Sequence, residues 1–270
     1  MRVISARRQQ QHAAALHRSL PSSGSITPPT WEPVMTLISV VTINYNNRDG
    51  LQRTMDSVVQ QHTDVCALQY VVIDGGSTDG SVELALGRAK EIDVFVSEPD
   101  DGIYAAMNKG LNRVTGEWVV FMNSGDCFAG PEALSTIARA AGEQGGTWVI
   151  YGDNISPRGL EPAAPLHRLR AGVIHACHQA MAFRVCDVRY NEKWRIYSDL
   201  DFVLQYYKRF KAKAFRHVAE PLSIIEESGL SARFPGAKRK EKFGIVYERF
   251  GLPGLMFAVA ASVLAAVDLL

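Results

Sequence analysis

Four short, nearly continuous apolar runs constrain this chain: Leu37-Ile38-Ser39-Val40-Val41-Thr42-Ile43, Tyr70-Val71-Val72-Ile73, Val94-Phe95-Val96 and Trp118-Val119-Val120-Phe121-Met122. Runs of this kind suit strands buried on both faces of a parallel sheet. Between them lie segments of helical spacing, at 51–61 and from Ile103, where Ile103, Met107 and Leu111 share one face. Strands alternating with helices at these intervals predict βαβ units in an α/β domain with a mostly parallel sheet.

Each run leads into a polar cluster. Asn44-Tyr45-Asn46-Asn47 follows the first, and Asp74-Gly75-Gly76-Ser77-Thr78-Asp79-Gly80 the second. Glu98-Pro99-Asp100-Asp101-Gly102 follows the third and Asn123-Ser124-Gly125-Asp126 the fourth. Ligands of open α/β sheets bind in the crevice beyond the carboxyl ends of the strands. Asn, Asp, Ser and Gly also serve βα turns and caps, so one cluster alone decides nothing; four at one edge point to a site. Asp74 is placed to accept from a ribose hydroxyl or a base N–H, beside glycines that permit close backbone approach, while Asp79 suits a helix cap. The turn at Asp100 and Asp101 opens a helix whose free amides suit an anion. Asp126 suits a hard cation, Mg²⁺ or Mn²⁺, which needs one or two carboxylates when substrate phosphates and water complete its shell. Asn123 and Ser124 offer further oxygens. Such an ion acts as a Lewis acid on a leaving diphosphate; the alternative for Asp126 is a turn aspartate.

At 270 residues the chain can bury a sizeable core, and its formal charge of +1 argues against nucleic acid as a partner. Four scattered cysteines, without a C-x-x-C pair, read as reduced thiols of a cytosolic compartment. Residues 1–36 carry Arg and Gln clusters and Pro/Ser/Gly stretches without apolar periodicity, the composition of a disordered tail. Their arginines lack the apolar run of a secretory signal, and translation from Met35 is an alternative start.

These motifs, with Met107-Asn108-Lys109-Gly110, resemble the family-two inverting glycosyltransferases of GT-A fold over residues 37–230, most nearly the branch that builds colanic-acid-like bacterial exopolysaccharides. The resemblance implies a nucleotide-sugar half at 37–126 and an acceptor half at 127–230. It implies donor contacts from Thr42, Asn44, Asp74, Asp100, Asp101, Asn108, Lys109, Asn123 and Ser124, with Asp126 on Mg²⁺ or Mn²⁺. Asn123 stands where the wider family often has the first carboxylate of Asp-x-Asp, and Ala105 where its helix usually carries an aspartate.

In the acceptor half, Trp148-Val149-Ile150-Tyr151-Gly152-Asp153 reads as a strand, and His178-Gln179 resembles the family's His-Gln pair beside the sugar. His175 and His178 lack the second ligand cluster of a zinc site. Inverting transfer needs a carboxylate base opposite the leaving group. The resemblance assigns that role to Asp199, just before an amphipathic helix running to Phe210; spacing alone fits an N-cap, with Asp201 complementing the dipole. Glu226-Glu227-Ser228-Gly229-Leu230-Ser231 resembles a mobile family loop, which Arg233 could assist.

A basic run at 233–249 then meets an apolar stretch at 252–270. As one helix that stretch is about 28 Å long, barely a membrane span. Within a C-terminal segment at 231–270, peripheral docking through 233–270 on an anionic inner leaflet is the expectation, with spanning or packing on the chain's own core as alternatives. The sequence thus predicts a hexosyltransferase-type, metal-dependent enzyme at the cytoplasmic face of the membrane. It moves a sugar from a nucleotide-diphosphate donor to a glycan or lipid-linked acceptor. The rivals are a degenerate, non-catalytic sugar-nucleotide-binding subunit and a sugar nucleotidyltransferase.

Overall fold

The computed structural model describes residues 2–5, 35–143, 145–226 and 235–267. The four apolar runs become β2 (Thr36–Asn44), β3 (Cys66–Asp74), β4 (Val94–Ser97) and β5 (Trp118–Phe121). They lie side by side in the order β4-β3-β2-β5, all parallel, with Asn44 in register with Asp74 and Asp74 with Ser97. That register brings the polar clusters to one edge. Helices α1 (Arg48–Val59), α2 (Ser81–Gly87) and α3 (Ile103–Leu111) connect them. Asn47 caps α1 by accepting the Gly50 N–H at 3.2 Å. Asp79 accepts from the amides of Arg48 and Ser81, serving the starts of α1 and α2 together.

Alternate residues of the strands enter different cores. Val41, Ile43, Val71 and Ile73 pack with α3 and with Leu200, Phe202 and Val203, while Val40, Val72 and Tyr70 pack with α1 and α4 (Ala133–Glu143). Each such side chain withdrawn from water contributes roughly 1.5–3 kcal/mol. Gly110 sets the spacing of α3, since a Cβ there would stand 2.4 Å from Val41 Cγ1.

The expectation of a mostly parallel sheet holds for this half only. The rest of the chain adds β6 (Cys127–Phe128), β7 (Val149–Ser156), β8 (Gly159–Glu161), β9 (Met181–Arg184) and β10 (Phe215–Ile224). Here β9 is antiparallel to both β5 and β7, and β10 returns parallel to β7. The sheet is therefore mixed. Because β9 reverses direction twice over, the carboxyl end of β10 reaches the same edge as those of β2, β3 and β5. Helix α5 (Ser198–Phe210) covers one face. Inside the stretch expected to lack structure, Arg2–Ser5 forms β1, antiparallel to β4; residues 6–34 lie outside the described residues.

The C-terminal segment, Pro235–Val267, is helical on both sides of a sharp break at Gly251, whose φ of 67° and ψ of −164° are open to glycine. Lys242 Nζ donates to Ser262 Oγ at 3.0 Å, whereas twenty residues of unbroken helix would separate them by about 30 Å. The two arms of this element, α6, thus fold back as a hairpin. Gly236–Leu264 is long and apolar enough to cross a membrane by length and composition. Folded, however, each arm reaches only about 24 Å, short of the ~30 Å hydrocarbon layer.

Candidate active site

The crevice at the carboxyl edge is built first by hydrogen bonds within the chain. Asp74 is fully buried and accepts from five groups: the amides of Gly76 (3.0 Å) and Ser77 (2.9 Å), the hydroxyls of Ser77 (2.6 Å) and Ser97 (2.9 Å), and Asn44 Nδ2 (2.8 Å). Those contacts fill its lone pairs. It organises the edge instead of offering a free carboxylate to a ribose, which corrects the sequence reading. Thr42 is likewise corrected: it is fully buried, with its hydroxyl 3.1 Å from the Tyr70 phenol. Asn44 keeps a buried Oδ1 without a partner, and the neighbouring Tyr45 ring is 68% exposed at the crevice.

The third cluster forms a wall tied down by Lys109. Its ammonium reaches Glu98 Oε1 at 2.9 Å, the Pro99 carbonyl at 3.1 Å and the Asp100 carboxylate. A Cβ on Gly75 would meet Tyr45 at 3.1 Å and Asp100 Oδ2 at 3.3 Å, so the second and third clusters touch. Burial raises the Asp100 carboxyl, against the pull of Lys109. Asp101 is exposed, and its carbonyl accepts from Arg195. Asn108 does not face the crevice. It clamps Tyr190, donating to the carbonyl at 3.0 Å and accepting from the amide at 2.9 Å, and gives its second N–H to Glu192 at 2.7 Å. Glu192 and Ala105 line one small cleft with Asp101 and Arg195, so a carboxylate stands beside the position where the resemblance implied one.

The fourth cluster is pinned by α1. Thr54 Oγ1 donates to the Asp126 carbonyl at 2.7 Å and accepts from the Gly125 amide at 3.0 Å. Ser124 gives its hydroxyl to the Asn47 carbonyl at 3.1 Å, so it braces two loops where a ligand contact was expected. Asn123 presents a buried Oδ1 that has no partner. Asp126 Oδ1 accepts the Glu226 amide at 3.1 Å, and Gln179 donates to the same carboxylate. Burial, reinforced by the Glu226 charge, pushes the Asp126 carboxyl up to about 7. Two carboxylates, one of them Glu226 in an ion pair with Arg53, and an orphaned amide oxygen thus gather at one strand edge, a hard-oxygen set that fits Mg²⁺ or Mn²⁺. Among the described residues no group of three or more His, Cys, Asp or Glu forms a metal cluster.

His178 and Gln179 point opposite ways. His178 is buried against Phe121, its Nε2 bonded to the Tyr190 phenol, and burial lowers its pKa to about 3. It is a neutral core ring, which corrects its placement beside the sugar. Gln179 instead joins Asp126 to the Cys177 thiol, which donates to its Oε1 at 2.9 Å. Asp199 lies in the first turn of α5, partly exposed, with Oδ1 accepting the Leu200 amide at 2.8 Å. Burial lifts its carboxyl to about 6, against the Leu200 N–H and the charge of Lys238. Three phenols surround it: Tyr104, Tyr190 and Tyr197 are each raised by burial first and by the Asp199 charge second. Asp126 and Asp199 both lie within electrostatic reach of Cys177, whose thiol burial and these charges push up to about 12.

With this geometry established, comparison with known proteins finds that residues 39–197 match Glycosyl transferase family 2. The chain belongs to that family. Among relatives, the glycosyltransferase Rv1514c of Mycobacterium tuberculosis is 33% identical, over 62% of this chain and 68% of its own. The PGL/p-HBAD biosynthesis glycosyltransferase Rv2957 of the same species is 29% identical over the same shares. A shared fold is evident with glucosyl-3-phosphoglycerate synthase from M. tuberculosis, solved with Mn²⁺, UDP and glucosyl-3-phosphoglycerate, at TM-score 0.58 and 17% identity, over 85% of this chain and 88% of that one.

Within this family 2 chain, Gln179 bridges Cys177 and Asp126, and the Asp199 charge also acts on that thiol. The structure leaves Thr42, Asp74, Asn108, Lys109, Ser124 and His178 holding the frame. Sequence reading missed Glu226 as a partner of Asp126, although its place just past the end of β10 obeys the strand-end rule that found the others. It also missed how α6 grips the segment that leads into α5. Glu241 accepts the amides of Arg195, Ile196 and Tyr197 at 2.8–2.9 Å, and Arg249 pairs with the buried Asp201 through two bonds of 2.6 and 2.7 Å. Asp201 therefore anchors the C-terminal hairpin, beyond the dipole role expected of it. The Glu227–Arg233 segment lies outside the described residues.

Proposed function

We propose that this chain is an inverting, metal-dependent glycosyltransferase of the surface-polysaccharide or glycolipid type. It moves a sugar from a nucleotide-diphosphate donor to a glycan or lipid-linked acceptor on the cytoplasmic side of the membrane. One observation carries the reading: Asp126, held at the strand edge by the Glu226 amide, and Asp199, in the first turn of α5, are both raised by burial and both act on the Cys177 thiol from separate elements. Pairs of this kind mark sites where acid–base and charge-stabilising roles are divided.

In this reading Asp199 takes the acceptor hydroxyl's proton as that oxygen attacks the anomeric carbon and the bond to the diphosphate breaks. Lys238 and the Leu200 N–H keep the carboxylate ionised against its burial. Asp126, with Asn123 Oδ1 and Glu226, would hold Mg²⁺ or Mn²⁺, which when bound stabilises negative charge on the leaving diphosphate. Gln179 orients Asp126. The exposed Tyr45 ring and the unpaired Asn44 Oδ1 offer a stacking face and an acceptor to a nucleobase. Ligands of the fold neighbour, UDP and Mn²⁺, and the biosynthetic role named for a relative support donor, ion and setting.

Melting the protein with UDP-, GDP- and dTDP-sugars in the presence of Mn²⁺ tests this. A true donor at 100 times its dissociation constant adds ~2.7 kcal/mol, and Asp126→Asn abolishes the Mn²⁺-dependent part. Turnover then releases nucleoside diphosphate. Pyrophosphate release would instead support a nucleotidyltransferase, and donor binding without transfer a non-catalytic subunit.

A further inference from the structure

A second concave site lies away from the crevice, between the helical turn Leu166–Ala171 and the α6 hairpin. Its volume is about 420 Å³. His167, Arg168, Lys242 and Ser262 form its polar side, and Val173 and Phe257 its apolar side. Lys242 is half-buried and donates to Ser262; burial and the charges of Arg239, Arg168 and Lys238 all lower its pKa. Among the described residues, none of these four cations forms an ion pair. The carboxylates of the same arm are engaged elsewhere, Glu241 by three amides and Glu248 by Lys193. Lys238 also acts on Asp199, but Arg168, Arg239 and Lys242 repel one another unless an anion sits among them.

The second arm of the hairpin continues this site as an exposed apolar stripe. Leu252, Met256, Val263 and Leu264 are 57–65% exposed, and Phe257, which lines the cavity, belongs to the same surface. A free phosphate would satisfy the cations but leave the stripe in water. A second copy seated on the stripe by two-fold symmetry would bring cation cluster near cation cluster. One class of partner answers both features, an amphiphile with an anionic head and an apolar body.

We propose that this cavity binds the phosphate head group of an anionic membrane lipid while the stripe of the second arm enters the acyl boundary. The first arm of the same hairpin holds the backbone that leads into Asp199, so lipid seated here lies on the element that fixes the carboxylate. The proposal does not depend on sugar transfer.

Co-sedimentation of the full chain with phosphatidylcholine vesicles, with and without phosphatidylglycerol, tests it. The protein is expected to pellet with the anionic vesicles and stay in solution with the zwitterionic ones. Arg168→Gln with Lys242→Gln is expected to weaken partition about 30-fold, at roughly 5-fold per cation. Met256→Ser with Val263→Ser lowers it as well, while neither pair changes the melting temperature or the shift produced by a sugar nucleotide. Equal pelleting with both vesicle types would overturn the proposal, as would full partition by the double Gln variant. A dimer that forms with protein concentration and blocks vesicle binding would also overturn it. So would binding of inorganic phosphate at the cavity without vesicle partition.

Discussion

The proposed mechanism concentrates proton transfer into one titratable group, Asp199. Its carboxyl is held up to about 6 by burial, and a base works only in its ionised form. At saturating Mn²⁺, which keeps Asp126 ionised, kcat/KM should therefore fall about tenfold per pH unit below that pKa and level off above it. Asp199→Asn should lose ~100- to 10,000-fold in kcat with donor binding kept. A flat profile between about pH 5 and pH 8 in the wild type would remove Asp199 from the role. The residue scale is also where sequence reading was weakest. Asp74, Thr42 and His178 are of the right type and at the right edge, yet each is consumed by partners 2 to 30 positions away or by the core. Residue type announces what a side chain can bind; only packing decides whether a neighbour has already taken it.

Between elements, the decisive contact joins α5 to α6. A bidentate pair with Asp201 fully buried is weak evidence of net stability, but removing one partner strands the other. Arg249→Ala is expected to destabilise the fold by ~3–5 kcal/mol, read as a shift in the urea midpoint. Asp201→Asn combined with Arg249→Met should recover much of that, because no buried charge remains unpaired. A single variant as stable as the wild type would mean that the hairpin is not anchored there. Glu241, Ile245, Glu248 and Arg249 recur at the spacing of one helical face, yet in sequence they sit inside a run that reads as a solvated basic surface. Nothing local announces that three of the four face α5 and the loop before it.

At the scale of the molecule, the apolar runs made the sheet legible. Buried strands of a parallel sheet advertise themselves by continuity, and the polar clusters at their ends share one edge, as expected. The reversal at β9 was not legible, because a strand's direction depends on connections that carry no periodicity. The hairpin in α6 was partly legible, since Gly251 and Pro253 stand where a helix of uniform composition would have neither. The cavity beside the hairpin also sorts charge by position: Arg168, Lys238, Arg239 and Lys242 collect together in a chain whose formal total is only +1. Chromatography reads the face, not the total. A sulfonate resin near neutral pH is expected to retain this nearly uncharged protein and release it with salt, and Arg168→Gln with Lys242→Gln to bring it off early.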